Sequence, residues 1–223
     1  MNKFYHETID LGYKELTCVT RDTGRKYTTP PGEGRKEYPS ITTILSSLSK
    51  DAIDAWKKRI GEKEARKILF RASERGTAVH AIVENYLNNK EDFSLGFMPH
   101  IVETFNTFKP VLDERIGTIY GQELPLFSHD LGVAGRVDCV ADFDGKLSVI
   151  DFKTSTKTKK DEWLHSYFMQ ECFYSAALFE RTGLMAHQLV TIMSTDNMPT
   201  RVIIQQMDDW INPLKEIIKN YNE

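Results

Sequence analysis

Two apolar runs joined by an Asp-Gly pair constrain this chain more than any other feature. They are GVAGRVDCVADF (132–143) and KLSVIDFK (146–153), separated by Asp144-Gly145. Asp-Gly readily takes the positive-φ positions of a tight hairpin turn, so the runs are predicted to pair as antiparallel strands. Val137, Val140, Val149, Ile150 and Phe152 place apolar side chains on both faces of the hairpin, which requires a covering layer on each side. A free-standing hairpin is excluded, and a sheet sandwiched by helices is the expectation.

The flanking segments supply those layers. Before the hairpin the pattern is helical. Ser40 is placed to cap a short helix, ITTILSSL. A second helix starts near Asp51 and breaks near Gly61, and a longer one spans about 62–87 with Ala72, Gly76, Val79, Val83 and Tyr86 as its apolar stripe. Another covers HIVETFNTFKPVLDERI, strained at Pro110. The period then changes to strand-like from GTIYGQELPLF onwards. A helix over about 162–181 ends at Gly183, strands QLVTIMST and TRVIIQQM follow, and a last helix starts at Asp208. At the N-terminus, ELTCVT and RKYTT read as a small hairpin about RDTG, and PPGEGRKEYPS reads as loop. The fold class expected is α/β: a mixed central sheet flanked by helices.

At 223 residues the chain is predicted to be one domain with its own core: an N-terminal hairpin segment (1–50), a helical part (51–115) and an α/β core (116–223). No apolar run reaches the roughly 20 residues of a membrane helix, and MNKFYHETIDLGYKE has no signal-peptide core, so no membrane partner and a cytoplasmic location are expected. Three scattered cysteines, Cys18, Cys139 and Cys172, argue against a disulfide scaffold. With a net charge of −3, any nucleic-acid contact must be a local basic patch.

The chemistry lies on the hairpin. Counting outward from the turn puts Asp138 opposite Asp151, where Cβ atoms are about 4.5–5.5 Å apart. Two carboxylates that close repel unless a cation bridges them or one is protonated, and oxygen-rich sites of this kind suit Mg²⁺ or Mn²⁺. Lys153 projects from the same face as Asp151, placed to hold a water or to neutralise charge developing on a phosphate. A charged network on a solvated face is the plain alternative, but the apolar residues on both faces argue for burial, and a buried acidic pair needs a partner. Gln170 interrupts the stripe Trp163, Tyr167, Tyr174 and Ala177 of the following helix, and His80 stands beside the apolar stripe of the earlier one with Thr77 and Glu84. Each residue alone reads more simply as structural.

In order, RGTAVHAIVENYL, GRVD, VIDFKTS and MQECFY resemble the RecB-type branch of the PD-(D/E)XK nuclease superfamily, which has a restriction-endonuclease-like fold. YPSITTIL resembles the opening of the mitochondrial genome maintenance exonucleases and their phage and bacterial relatives. The resemblance spans about 38–195. It implies that His80, Asp138, Asp151 and the Phe152 carbonyl hold Mg²⁺ or Mn²⁺, that Lys153 positions water or stabilises the phosphate, and that Gln170 and Tyr174 orient Lys153 or the substrate backbone. The substrate implied is DNA, single-stranded or with free ends, cut by an exonuclease of recombination, repair or DNA processing; recombination or replication proteins are expected partners, and a prokaryotic or phage origin is expected. Val137 stands where the proline that names the family would be. The four cysteines of some relatives are missing, so no iron–sulfur cluster is expected, and no GxxxxGK[ST] phosphate loop is present.

Thr154, Ser155, Lys157, Lys159 and Lys160 follow the catalytic strand and are candidates for the DNA backbone. RKEY (35–38) and WKKR (56–59), with Tyr38 and Trp56, are weaker candidates, and Glu123 is an outlying acid that could approach the metals. A structure-specific endonuclease and a non-catalytic DNA- or protein-binding module are the rival readings.

Overall fold

The computed structural model describes residues 3–223. Its centre is a five-stranded sheet in the order β4-β5-β6-β7-β8, formed by β4 (Ile116–Ser128), β5 (Val133–Phe143), β6 (Lys146–Ser155), β7 (Gln188–Thr195) and β8 (Arg201–Gln206). All neighbours are antiparallel except β6 and β7, which run parallel. Parallel neighbours need a crossover, and α5 (His165–Thr182) supplies it. Gly183 ends α5 with φ 75°, the left-handed cap a residue with a Cβ adopts only at a cost.

The expected layers form on both faces. One face buries Val79, Ile82 and Val83 of α3 (Glu62–Leu87) and Phe105, Phe108 and Leu112 of α4 (Pro99–Arg115) against Cys139, Ile150 and Phe152. The other buries Val140 and Val149 under Cys172, Phe173 and Ala177 of α5 and Leu214 of α6 (Met207–Asn222). α1 (Ile41–Ser46) joins this second layer through Ile41 and Ile44, its first turn capped by the Ser40 hydroxyl, which accepts from the Thr43 amide at 3.0 Å. Between them α2 (Lys50–Ile60) leads into α3 at Gly61. Among the described residues no helix is long and apolar enough to cross a membrane.

Three expectations change. The segment read as loop after the N-terminal hairpin contributes a strand, β3 (Glu37–Pro39), to a second sheet with β1 (Thr17–Arg21) and β2 (Gly24–Thr28), because Tyr38 pairs with Tyr27. Ala72 of the expected α3 stripe is exposed; from Arg66 to Glu74 the helix stands in solvent, so its periodicity there has no core to meet. Finally, α5 starts at His165, not near 162. A 3-10 turn over Asp161–Trp163 precedes it, which takes Trp163 off the helical stripe and leaves it 61% exposed.

Candidate active site

The hairpin register matches the count from the turn. Pairs run from Phe143↔Lys146 to Cys139↔Ile150, and the ladder stops one pair short of Asp138 and Asp151. There the Asp138 carboxylate takes over from the backbone: its Oδ2 accepts from the Phe152 amide at 2.9 Å. Asp151 is fully buried, and Lys153, on the same face, brings its Nζ to 2.5 Å from Asp151 Oδ2. That oxygen nonetheless has no partner in hydrogen-bonding geometry. A buried carboxylate oxygen with its charge balanced and a lone pair unused fits a cation ligand.

α5 supplies the wall behind this pair. Gln170 Nε2 donates to Asp151 Oδ1 at 3.1 Å, while its Oε1 accepts from Lys153 Nζ at 3.3 Å. The Gln170 amide therefore bridges the acid and the base and fixes both. One turn on, the Tyr174 hydroxyl lies 3.4 Å from Gln170 Nε2. The Tyr174 ring packs on Gly135, where an added Cβ would come within 2.8 Å of Tyr174 Cε1 and 3.2 Å of Ile41 Cγ2. Gly135 is what lets the ring lie against β5.

α3 closes the site from the other side. His80 Nε2 is 2.7 Å from the Phe152 carbonyl oxygen and Nδ1 is 3.5 Å from Asp138 Oδ2. Of the six residues the resemblance singles out by side chain, His80, Asp138, Asp151, Lys153, Gln170 and Tyr174, five face one cleft of about 470 Å³ together with Glu123, Arg25 and Arg136. Asp151 lies at its floor, joined through Lys153 and Gln170.

Glu123 is closer to the centre than its ranking as an outlying acid suggested. Gln122 pairs with Cys139 and Leu124 with Val137, which sets Glu123 across from Asp138. Carboxylate and imidazole atoms of His80, Glu123 and Asp138 all come within 4.8 Å of one another, a ligand set for a metal ion. Glu123 has φ 49°, rare for a residue with a long side chain, and Arg136 Nη1 donates to its carbonyl at 2.8 Å. Strand alternation gave no hint of this, because the turned backbone re-aims the side chain.

The electrostatics follow from burial and crowding. Burial, reinforced by Asp138, pushes the Glu123 carboxyl up to about 7. Burial likewise pushes Asp151 up to about 6, with Lys153 pulling the other way and Asp138 adding to the rise. For Lys153, burial opposes the charge, but Asp151 and Asp138 outweigh it and hold the ammonium above its ordinary value. Below the floor, Glu171 is fully buried and accepts from the Thr191 hydroxyl on β7, the strand residue beside Asp151. Burial, with the Asp151 charge adding to it, holds the Glu171 carboxyl well above its ordinary value. Its neighbour Gln170 drew the eye in the sequence and hid it.

The basic residues divide. Ser155 turns its hydroxyl back to the Lys157 carbonyl at 2.6 Å, while Lys157 and Lys160 are exposed. Lys159 reaches the Tyr167 hydroxyl. Thr154 is half-buried on β6. Of the weaker candidates, Tyr38 bonds His129 Nδ1 at 2.8 Å, a structural role, and Lys57 pairs with Asp54 on α2. Neither lines the cleft.

Comparisons agree with this geometry. The chain is 29% identical over 133 residues to mitochondrial genome maintenance exonuclease 1 of Mus musculus, covering 56% of this chain and 39% of that protein. For the Homo sapiens protein of the same name the identity is 29% over 138 residues, with the same coverage. The match thus spans about two fifths of these curated relatives. A solved Eubacterium rectale structure, 14% identical, gives a TM-score of 0.41 over 68% of this chain and 67% of that one, too loose a likeness to carry an argument. Residues 96–210, just over half of the chain, match the family described as the PD-(D/E)XK nuclease superfamily, and that span holds Glu123, Asp138, Asp151, Lys153, Gln170 and Tyr174 but not His80 or Arg25. With the fold, the site and this match in agreement, the chain belongs to the PD-(D/E)XK nuclease superfamily.

Proposed function

We propose that the chain is a divalent-metal-dependent DNA exonuclease that hydrolyses phosphodiester bonds at single-stranded or frayed ends, in recombination, repair or DNA processing. One observation carries the reading: a buried Asp151–Lys153 pair, bridged by Gln170, at the floor of a cleft that also collects His80, Asp138 and Glu123. A retired site has no reason to keep that charge buried.

His80, Asp138, Asp151 and the Phe152 carbonyl, with Glu123 within reach of His80 and Asp138, would hold Mg²⁺ or Mn²⁺; oxygen donors with one imidazole suit either ion. When bound, the cation supplies Lewis-acid polarisation of the phosphate and a more acidic water. The chain's own residues do the rest. Lys153 stays charged and holds its ammonium where an attacking water or a phosphoryl oxygen would sit, stabilising negative charge as it develops. Gln170 holds both members of that pair in place, accepting from Lys153 and donating to Asp151. Arg25 brings positive charge to the cleft wall, which suits a phosphate beside the scissile one, while Arg136 is paired with Glu15. The cleft, about 470 Å³, is on the scale of a small-ligand site.

Asp151→Ala should abolish Mn²⁺-dependent digestion of a labelled single strand while leaving the circular dichroism of the fold unchanged. Digestion at the wild-type rate would sink the assignment. A circular single strand decides the mode: sparing it supports the exonuclease, and cutting it favours the endonuclease reading.

A further inference from the structure

Beside the catalytic cleft, the turn between β6 and α5 and the first turn of α5 carry aromatic rings, Trp163 and Tyr167, that the reaction does not use. The Tyr167 ring lies 5.0 Å from Lys153 Nζ and 4.7 Å from Lys159 Nζ, so it joins the catalytic ammonium to the basic loop. One turn earlier, Lys160 Nζ stands 5.9 Å from the centre of the Trp163 ring. The 3-10 turn holding Trp163 is anchored: Leu164 is fully buried with Phe168 and Met193, and Phe168 packs on Trp210 at 5.0 Å. Yet Trp163 itself is 61% exposed. An anchored turn that presents an indole to solvent, four residues before Tyr167 beside the catalytic lysine, suits a flat partner.

We propose that Trp163 is a stacking platform for a base of the single strand flanking the scissile phosphate, with Lys159 and Lys160 neutralising the phosphates on either side of it. This rests on the nuclease reading and deepens it by naming how single-stranded DNA is held. Charge complementarity favours that occupant over a protein surface. Lys157, Lys159 and Lys160 precede the ring; Asp161 is tied to Arg201 at 2.8 Å, leaving Glu162 as the opposing charge in the turn. Every base has a π-face, so the platform is sequence-tolerant, and it discriminates against duplex, whose bases are already stacked.

Binding of labelled oligothymidylate to the full chain, with Ca²⁺ in place of Mg²⁺ to suppress cleavage, tests it. A single abasic position is walked along the strand. At one position, loss of the base should weaken wild-type binding about tenfold, within the range of one base–aromatic stack. Trp163→Ala should bind the intact strand about tenfold more weakly and lose sensitivity to that abasic position, while Trp163→Phe keeps most of both. A flat abasic scan, or the same scan in Trp163→Ala as in wild type, overturns the platform while wild-type digestion leaves the nuclease reading standing. A change of oligomeric state in Trp163→Ala with DNA binding intact also overturns it and assigns the ring to a protein contact. If wild type neither binds nor digests the strand, the nuclease reading fails first.

Discussion

Asp151 and Glu123 are acids held uncomfortably, and their discomfort makes pH a probe of the site. Both have folded values, about 6 and about 7, above the roughly 4 of an unfolded chain. In metal-free protein their contribution to stability is therefore fully present below about pH 4 and fades as pH rises through 6 and then 7. A bound cation needs both deprotonated, so the sign reverses: the thermal shift on adding Mn²⁺ should be larger at pH 7.5 than at pH 5.5. Equal shifts at both values would contradict the ligand assignment. Glu123→Gln keeps the shape and removes the charge; we expect Mn²⁺ affinity, read by calorimetry or by the electron paramagnetic resonance of the ion, to fall about tenfold or more. An unchanged affinity would place Glu123 outside the coordination sphere.

At the scale of elements, one glycine decides how α5 meets β5. Gly135→Ala would drive a methyl into the Tyr174 ring, a buried side chain with nowhere to retreat. Destabilisation of about 1–3 kcal/mol is expected, seen as a lower denaturation midpoint, together with loss of activity out of proportion because Gln170 shifts with its helix. Gly135 also illustrates what a sequence discloses. The β5–β6 hairpin was legible because an Asp-Gly turn fixes register by counting, and Asp151 and Lys153 follow from strand parity. His80 and Gln170 were legible only through resemblance, since a polar residue on an apolar stripe has several explanations. Glu123 was legible only as an outlying acid that could approach the metals: its closeness to Asp138 and His80 goes with a left-handed backbone, which residue type does not announce. The exposed half of α3 misled for a related reason, because helical periodicity says which face is apolar and not whether anything covers it.

At the scale of the whole molecule, the cleft depends on the small N-terminal sheet, which contributes Arg25 to its wall. That sheet is moored far from the chemistry. His129, beyond β4, bonds Tyr38 at 2.8 Å and Glu33 at 2.9 Å, and Arg181 reaches Glu33 at 3.3 Å. The His129 bond, with Arg181, holds the Glu33 carboxyl below its usual value, so the mooring is present above the ordinary carboxylate range and lost as pH falls through that lowered value. His129→Ala should speed hydrogen exchange across residues 24–40 with little change in the central sheet; uniform acceleration would mean that the N-terminal sheet is not a separate unit. The left-handed turn at Glu123 has a consequence of its own. Asn or Gly suits that backbone better than Glu, by about 1 kcal/mol. A screen that rewards only heat resistance would therefore enrich Glu123→Asn or Glu123→Gly, selecting hardier proteins that have surrendered an acid of the site; here robustness and reactivity compete for a single position.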